Sequence, residues 1–219
     1  MIDIRRMARN YVFAPGEYYH LYARGIEKMP VFRDSADYQR FLEGLYVFNS
    51  DEKRIEIREL KRFRGGLTSA AVFESGRGET LTAIGAYCLM PSHFHVLVRE
   101  KHSEGKGISK FMQKLLTSYT MYFNKKYGRT GAIFGSSFKA QHVTDDVHLK
   151  YLFAYIHLNP RDILDGTSLK AYPHSSYQDY LSVERLQKNI ITPNSFPDYF
   201  SGKLEEEIEE WLAYHSAEV

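Results

Sequence analysis

The sequence predicts an α+β fold of the ferredoxin-like or RRM-like kind, a βαββαβ antiparallel sheet with helices, followed by a C-terminal helical extension. Three observations carry this. Strand and helix patterns alternate as strand, helix, strand, strand, helix, strand, and a last helix follows. The two middle strand patterns are joined by the tight turn Met90-Pro91-Ser92. The stretch from Gly107 to Tyr127 carries one continuous apolar stripe at helical spacing.

Taken in order, Tyr18 to Ala23 reads as the first strand, ended by Arg24-Gly25. Asp34 or Ser35 can cap a helix whose apolar positions are Tyr38, Phe41, Leu42, Leu45 and Phe48. Residues 50–79 are charged and contain Gly65-Gly66 and Gly76-Arg77-Gly78, so they are expected to form a long insertion loop, with a strand over Arg54–Leu60. Thr80 to Met90 and His93 to Arg99 form an antiparallel pair. In the long helix, Ile108, Phe111, Met112, Leu115, Leu116, Tyr119, Tyr122 and Phe123 line one face, and Gly128 and Gly131 end it. Phe138 to Val143 is a short strand. Thr144-Asp145-Asp146 starts a helix with Leu149, Leu152, Phe153 and Ile156 on one face, and Pro160 is expected to stop it. Two helices are expected to cover one face of the sheet and leave the other free for a site. Residues 1–165 are thus assigned to one domain and 166–219 to an extension ending in an acidic helix around Leu204–Tyr214.

Composition narrows the class. The chain has 219 residues, 43% hydrophobic and 26% charged, as an ordinary globular protein has. No apolar run approaches the ~18 residues of a membrane span, and Met1-Ile2-Asp3-Ile4-Arg5-Arg6 lacks the apolar segment of a signal peptide, so a cytoplasmic location is expected. The lone Cys88 excludes an internal disulfide and a multi-cysteine zinc site. A net charge of +2 is too mild to indicate nucleic acid by itself. The basic residues are nevertheless clustered: Arg5, Arg6 and Arg9 in an N-terminal arm; Lys53, Arg54, Arg58, Lys61, Arg62 and Arg64 in the insertion; Lys125, Lys126, Arg129 and Lys139 around the end of the long helix. Arg5, Arg6, Arg9, Arg58, Arg62, Arg64, Lys125, Lys126, Arg129 and Lys139 are the candidate contacts to an anionic partner such as a nucleic-acid backbone, against the plain alternative of a solvated charged surface.

Two residue pairs carry chemistry. Strand alternation puts His93 and His95 on one face and sends Phe94, Val96 and Val98 to the other, so the two imidazoles can chelate one divalent ion. Tyr155 and Asn159, four residues apart, project from the same side of the last helix, presenting a hydroxyl and an amide together. The alternative is a tyrosine at a helix edge and an asparagine capping the helix before Pro160.

The segment Tyr87-Cys88-Leu89-Met90-Pro91-Ser92-His93-Phe94-His95-Val96-Leu97-Val98 resembles the HUH strand of the single-tyrosine transposases of the insertion-sequence 200/605 type. Ser118 through Gly131, Tyr155-Ile156-His157-Leu158-Asn159-Pro160-Arg161 and Tyr172-Pro173-His174-Ser175-Ser176-Tyr177 resemble the branch associated with palindromic (REP) repeats. The resemblance spans roughly residues 17 to 181, with the motifs in order. Ser92 stands where asparagine is usual, the 50–79 segment is longer than the family's connection, and the chain after Leu181 matches nothing. The resemblance implies a metal-dependent single-strand DNA endonuclease and ligase. Tyr155 would be the nucleophile and would form a 5′-phosphotyrosine link. His93, His95 and Asn159 would hold Mg²⁺ or Mn²⁺, with His20 as a possible supporting residue. It implies single-stranded or hairpin DNA as partner and a monomer or homodimer. Tyr151 is the rival nucleophile, without an Asn159 one turn later. His157 is expected to point away from Tyr155, His142 and His148 to lie at the surface, and Cys88 to be a small buried residue. The competing readings are a replication-initiator or relaxase-type HUH nuclease and a non-catalytic RRM-like nucleic-acid-binding module, which would carry stacking aromatics on the open sheet face.

Overall fold

Side-chain alternation sorts the strands into two layers, and the computed structural model shows what each layer meets. It describes residues 12–51, 69–164, 168–181, 183–197 and 207–208. The elements are β1 (Tyr18–Arg24), α1 (Ser35–Val47), α2 (Ser69–Phe73), β2 (Thr82–Met90), β3 (His93–Glu100), α3 (Gly107–Tyr127), β4 (Lys139–His142), α4 (Asp146–Leu158) and the single turn α5 (Tyr177–Tyr180). The sheet runs β2-β3-β1-β4 with every pair antiparallel, which is the ferredoxin-like order. The expected strand over Arg54–Leu60, the Lys53–Arg64 cluster, the Arg5–Arg9 arm and most of the Leu204–Tyr214 helix lie outside the described residues.

One face of the sheet presents Tyr19, Leu21, Phe94, Val96 and Val98 to α1 and α3, where Phe41, Leu45, Phe111, Leu115 and Tyr119 complete a core. Asp34 caps α1 by accepting from the Asp37 backbone N–H, and Gly128 ends α3 in the left-handed region at φ 61°. The other face was expected to stay free. Instead, α4 packs Leu149, Leu152, Phe153 and Ile156 against Ala86, Cys88 and Leu97. An amphipathic helix with so complete an apolar stripe must bury it, and the faces of β2 and β3 are the surface on offer. β2 is therefore buried along its whole length.

Two further departures have physical causes. The α-helical part of α4 ends at Leu158, yet the chain continues through a 3-10 turn, Asn159–Ile163. Pro160 sits at the start of that turn, where a missing N–H leaves no bond unmade. The 50–79 insertion is not loop throughout: α2 buries Val72 and Phe73 in the α1/α3 core.

The chain after α4 closes the free edge of β2. Leu89 donates its backbone N–H to His174, Ser176 to Tyr87, and Thr192 to Ile84. Arg185 binds this segment down through Asp179, the Tyr87 hydroxyl and the Ser175 carbonyl, with contacts of 2.5 to 2.8 Å. An exposed edge of paired-ready N–H and C=O groups is thereby removed.

Candidate active site

The site forms where the start of β3 meets the end of α4. On β3, His93 and His95 face α4 while Phe94 is fully buried in the opposite core. On β1 the same face carries His20, Tyr22 and Arg24, and the register sets Tyr22 opposite His95 and Arg24 opposite His93. The His20 Nε2 lies 2.8 Å from His95 Nδ1, and Ser92 Oγ lies 3.1 Å from His93 Nδ1. With the proton on Nδ1 in both His93 and His95, these two contacts leave each Nε2 lone pair directed at the site. Ser92, where the resemblance expects asparagine, thus touches a candidate ligand as well as the turn.

From the helix side, Asn159 Oδ1 stands 3.2 Å from His93 Nε2, across 66 residues of sequence. The Tyr155 ring meets His95 edge-on, centroids 5.5 Å apart, and His20 at 6.2 Å. Tyr155 is 38% exposed, and among the described residues nothing hydrogen-bonds its hydroxyl. Tyr151 stacks on Tyr155 at 6.0 Å, one turn farther from Asn159. His157 points the other way, as expected: it is buried, and its Nε2 meets Ser176 Oγ at 2.7 Å. That contact and the edge-on Phe153 ring, 4.5 Å away, fix the last turn of α4 from behind.

Burial dominates the electrostatics. It pushes His95 down to about 3, with His20, His93 and Arg24 charge adding to it. It pushes His20 down to about 4, with His148 adding. His93 is lowered chiefly by burial, with the Arg24 charge adding, although the Asn159 oxygen can accept from the protonated ring. All three imidazoles are therefore neutral at neutral pH, the state that can donate a lone pair.

Among the described residues no group of three or more His, Cys, Asp or Glu side chains is arranged to hold a metal ion. The candidate set differs in composition, since its third donor is an amide. It fits a divalent ion on two observations. His95 Nε2 is buried with no hydrogen-bond partner, a costly state for a polar atom. His93 Nε2 and Asn159 Oδ1 converge on one point from two elements.

Elsewhere, Cys88 is fully buried and its thiol is pushed far up by burial, so it is held as an uncharged core residue. His142 is exposed and pairs with Glu17, while His148 is only half-buried. Lys125, Arg129 and Lys139 are exposed. Lys126 is not a free cation: Asp34 and Asp37 hold its ammonium at 2.6 and 2.7 Å, so its charge is already matched inside the fold. Lys139 lies on β4 opposite Tyr22, its ammonium 5.9 Å over that ring. Arg24 and Tyr22 were not singled out from the sequence. The signal that could have found them was strand alternation, which puts them on the same face as His20.

Residues 71–159 match the family model described as transposase, IS200 like, a segment running from within α2 to Asn159. A solved structure described as a REP-associated tyrosine transposase bound to a REP hairpin is similar, with a TM-score of 0.51 and 14% identity over 85% of this chain and 90% of that one. Likeness at that identity is a likeness of fold. No curated protein matches the chain. Every residue of the cluster on β3 and α4, from His93 and His95 to Tyr155 and Asn159, falls inside the segment that matches the IS200-like transposase model.

Proposed function

We propose that this protein acts as a transposase that cleaves and rejoins single-stranded or hairpin DNA by transesterification on Tyr155. The observation that carries the reading is the convergence of Tyr155 on His95 and of Asn159 on His93, from a helix and a strand far apart in sequence. The hairpin is proposed because the similar solved structure is bound to one, and the REP branch because its motifs recur in order in this chain.

The Tyr155 oxygen attacks the phosphorus, the bond to the 3′ oxygen breaks, and that oxygen leaves with a proton as a 3′ hydroxyl. The tyrosine keeps the 5′ phosphate. One phosphate ester replaces another, so a returning 3′ hydroxyl can reseal the strand without ATP. His93, His95 and Asn159 would hold Mg²⁺ or Mn²⁺. Bound there, the ion supplies a positive charge for the phosphate oxygens. His20 keeps the His95 Nε2 lone pair directed into the site through the 2.8 Å contact to Nδ1. The packed stripe of α4 gives Tyr155 a defined direction, and such orientation supplies much of the rate in a displacement at phosphorus.

The test is a labelled hairpin oligonucleotide incubated with Mn²⁺ and resolved under denaturing conditions. Wild-type protein should give a covalent adduct, and peptide mapping should put the nucleotide on Tyr155. Tyr155→Phe should bind the hairpin and give none. An adduct on Tyr151 would move the nucleophile by one turn. Cleavage without any protein-linked product would remove the transesterase reading.

A further inference from the structure

We propose that Arg24 is a phosphate-binding residue of this site, its guanidinium contacting the phosphate that Tyr155 attacks. The inference rests on the transesterase reading and adds a residue to it.

Arg24 is the last residue of β1 and pairs with His93 across the sheet, on the face shared by His20, Tyr22 and His95. Directly opposed residues of an antiparallel pair carry their side chains together on one face. The backbone there is fixed on both sides: Gly25 donates to the Ser92 carbonyl at 2.8 Å, and the Arg24 carbonyl accepts from Gly135 at 3.0 Å. Gly25 follows because there is no room for more; a Cβ at that position would stand 2.3 Å from the Met29 carbonyl oxygen. The direction in which Arg24 leaves the sheet is thus set by the turn that also presents His93.

The side chain itself is exposed, and among the described residues no carboxylate pairs with it and no hydrogen bond engages it. Other cations of the fold are committed: Lys126 to Asp34 and Asp37, Arg185 to Asp179. It stands directly across the sheet from His93, with His95 two residues on along the same face. A lone cation beside candidate metal ligands opposes the binding of a metal ion, so this placement is unfavourable until an anion joins the site. A phosphodiester is an anion of the right kind, and the charge on its oxygens grows as the tyrosine attacks. A planar guanidinium can bind two of those oxygens at once.

The test separates binding from chemistry. In EDTA, with Tyr155→Phe as background, hairpin affinity is measured with an ordinary phosphate and with an uncharged methylphosphonate at the cleaved position. Arg24-containing protein should prefer the phosphate by about tenfold or more, the range for a hydrogen bond to a charged group, and Arg24→Gln should show little preference. With Tyr155 and Mn²⁺ restored, the single-turnover rate at saturating DNA should fall by roughly 10²–10³-fold in Arg24→Gln. Arg24→Lys should be intermediate, and added guanidinium ion should rescue Arg24→Ala. Equal phosphate preference in Arg24→Gln, or an unchanged single-turnover rate, would overturn the assignment. If wild-type protein forms no adduct, the transesterase reading fails, while the methylphosphonate comparison still decides whether Arg24 meets the phosphate.

Discussion

Acidification should weaken the fold through His157, and by an amount that can be worked out. The ring is 1% exposed, and burial pushes its pKa down to about 3, with the Arg185 charge adding and a Phe153 backbone hydrogen bond opposing. In the unfolded chain a histidine titrates near 6.5. Between these values the unfolded state binds the extra proton, so stability rises with pH across that window. The contribution is complete above about pH 6.5 and falls as pH drops, until the folded form itself protonates near 3. One proton difference is worth about 1.4 kcal/mol per pH unit, which makes the His157 loss between pH 7 and pH 5 about 2 kcal/mol. The assay is urea unfolding at both pH values in EDTA, comparing wild type with His157→Gln, whose amide can still reach Ser176. His20 and His174, both pushed down to about 4 chiefly by burial, remain in both proteins and cancel in the difference. The variant should lose about 2 kcal/mol less than wild type over this interval. Parallel losses would refute the argument and mean that His157 protonates in the folded protein without penalty. The point bears on function because His157 lies between Tyr155 and Asn159 and holds the turn that carries them.

Three other outcomes are expected. Ser176→Ala removes the oxygen that accepts from the Tyr87 backbone N–H at 2.9 Å and meets His157 at 2.7 Å. Two buried polar groups would be stranded, at about 1–3 kcal/mol each, and a loss under 0.5 kcal/mol in urea unfolding would show that they find other partners. His95→Ala should abolish Mn²⁺ binding measured by calorimetry and divalent-dependent cleavage, while most hairpin affinity should survive, since affinity for DNA generally rests on several phosphate contacts at once. His20→Ala should weaken Mn²⁺ binding by about 10–100-fold, as loss of a ligand's supporting partner does. Unchanged binding in both variants would remove the metal assignment.

Local order was legible wherever a period and its end signals agreed. The apolar stripe of α3 with Gly128 behind it yields a helix that spans the expected residues 107–127. The alternation of His93, Phe94 and His95 places both imidazoles on one face, and the spacing of Tyr155 and Asn159 places them on one side of α4. These follow from covalent geometry, which repeats every two residues in a strand and every 3.6 in a helix. What the chain does across long separations was not legible in the same way. Nothing local to residues 69–73 announces that α2 will fill the core with Val72 and Phe73. Nothing local to His174, Ser176 or Thr192 says that they will close the β2 edge. The choice of sheet face for α4 depended on which apolar surface remained once α1 and α3 had taken theirs. Contacts such as His20 on His95, Asn159 near His93 and Arg24 opposite His93 depend on strand register and helix docking. The sequence by itself thus determined which side chains share a face; the tertiary structure decided which faces meet. That division has one physical cause: torsional periodicity acts between neighbours in the chain, whereas register and docking are settled by burying surfaces 66 or more residues apart.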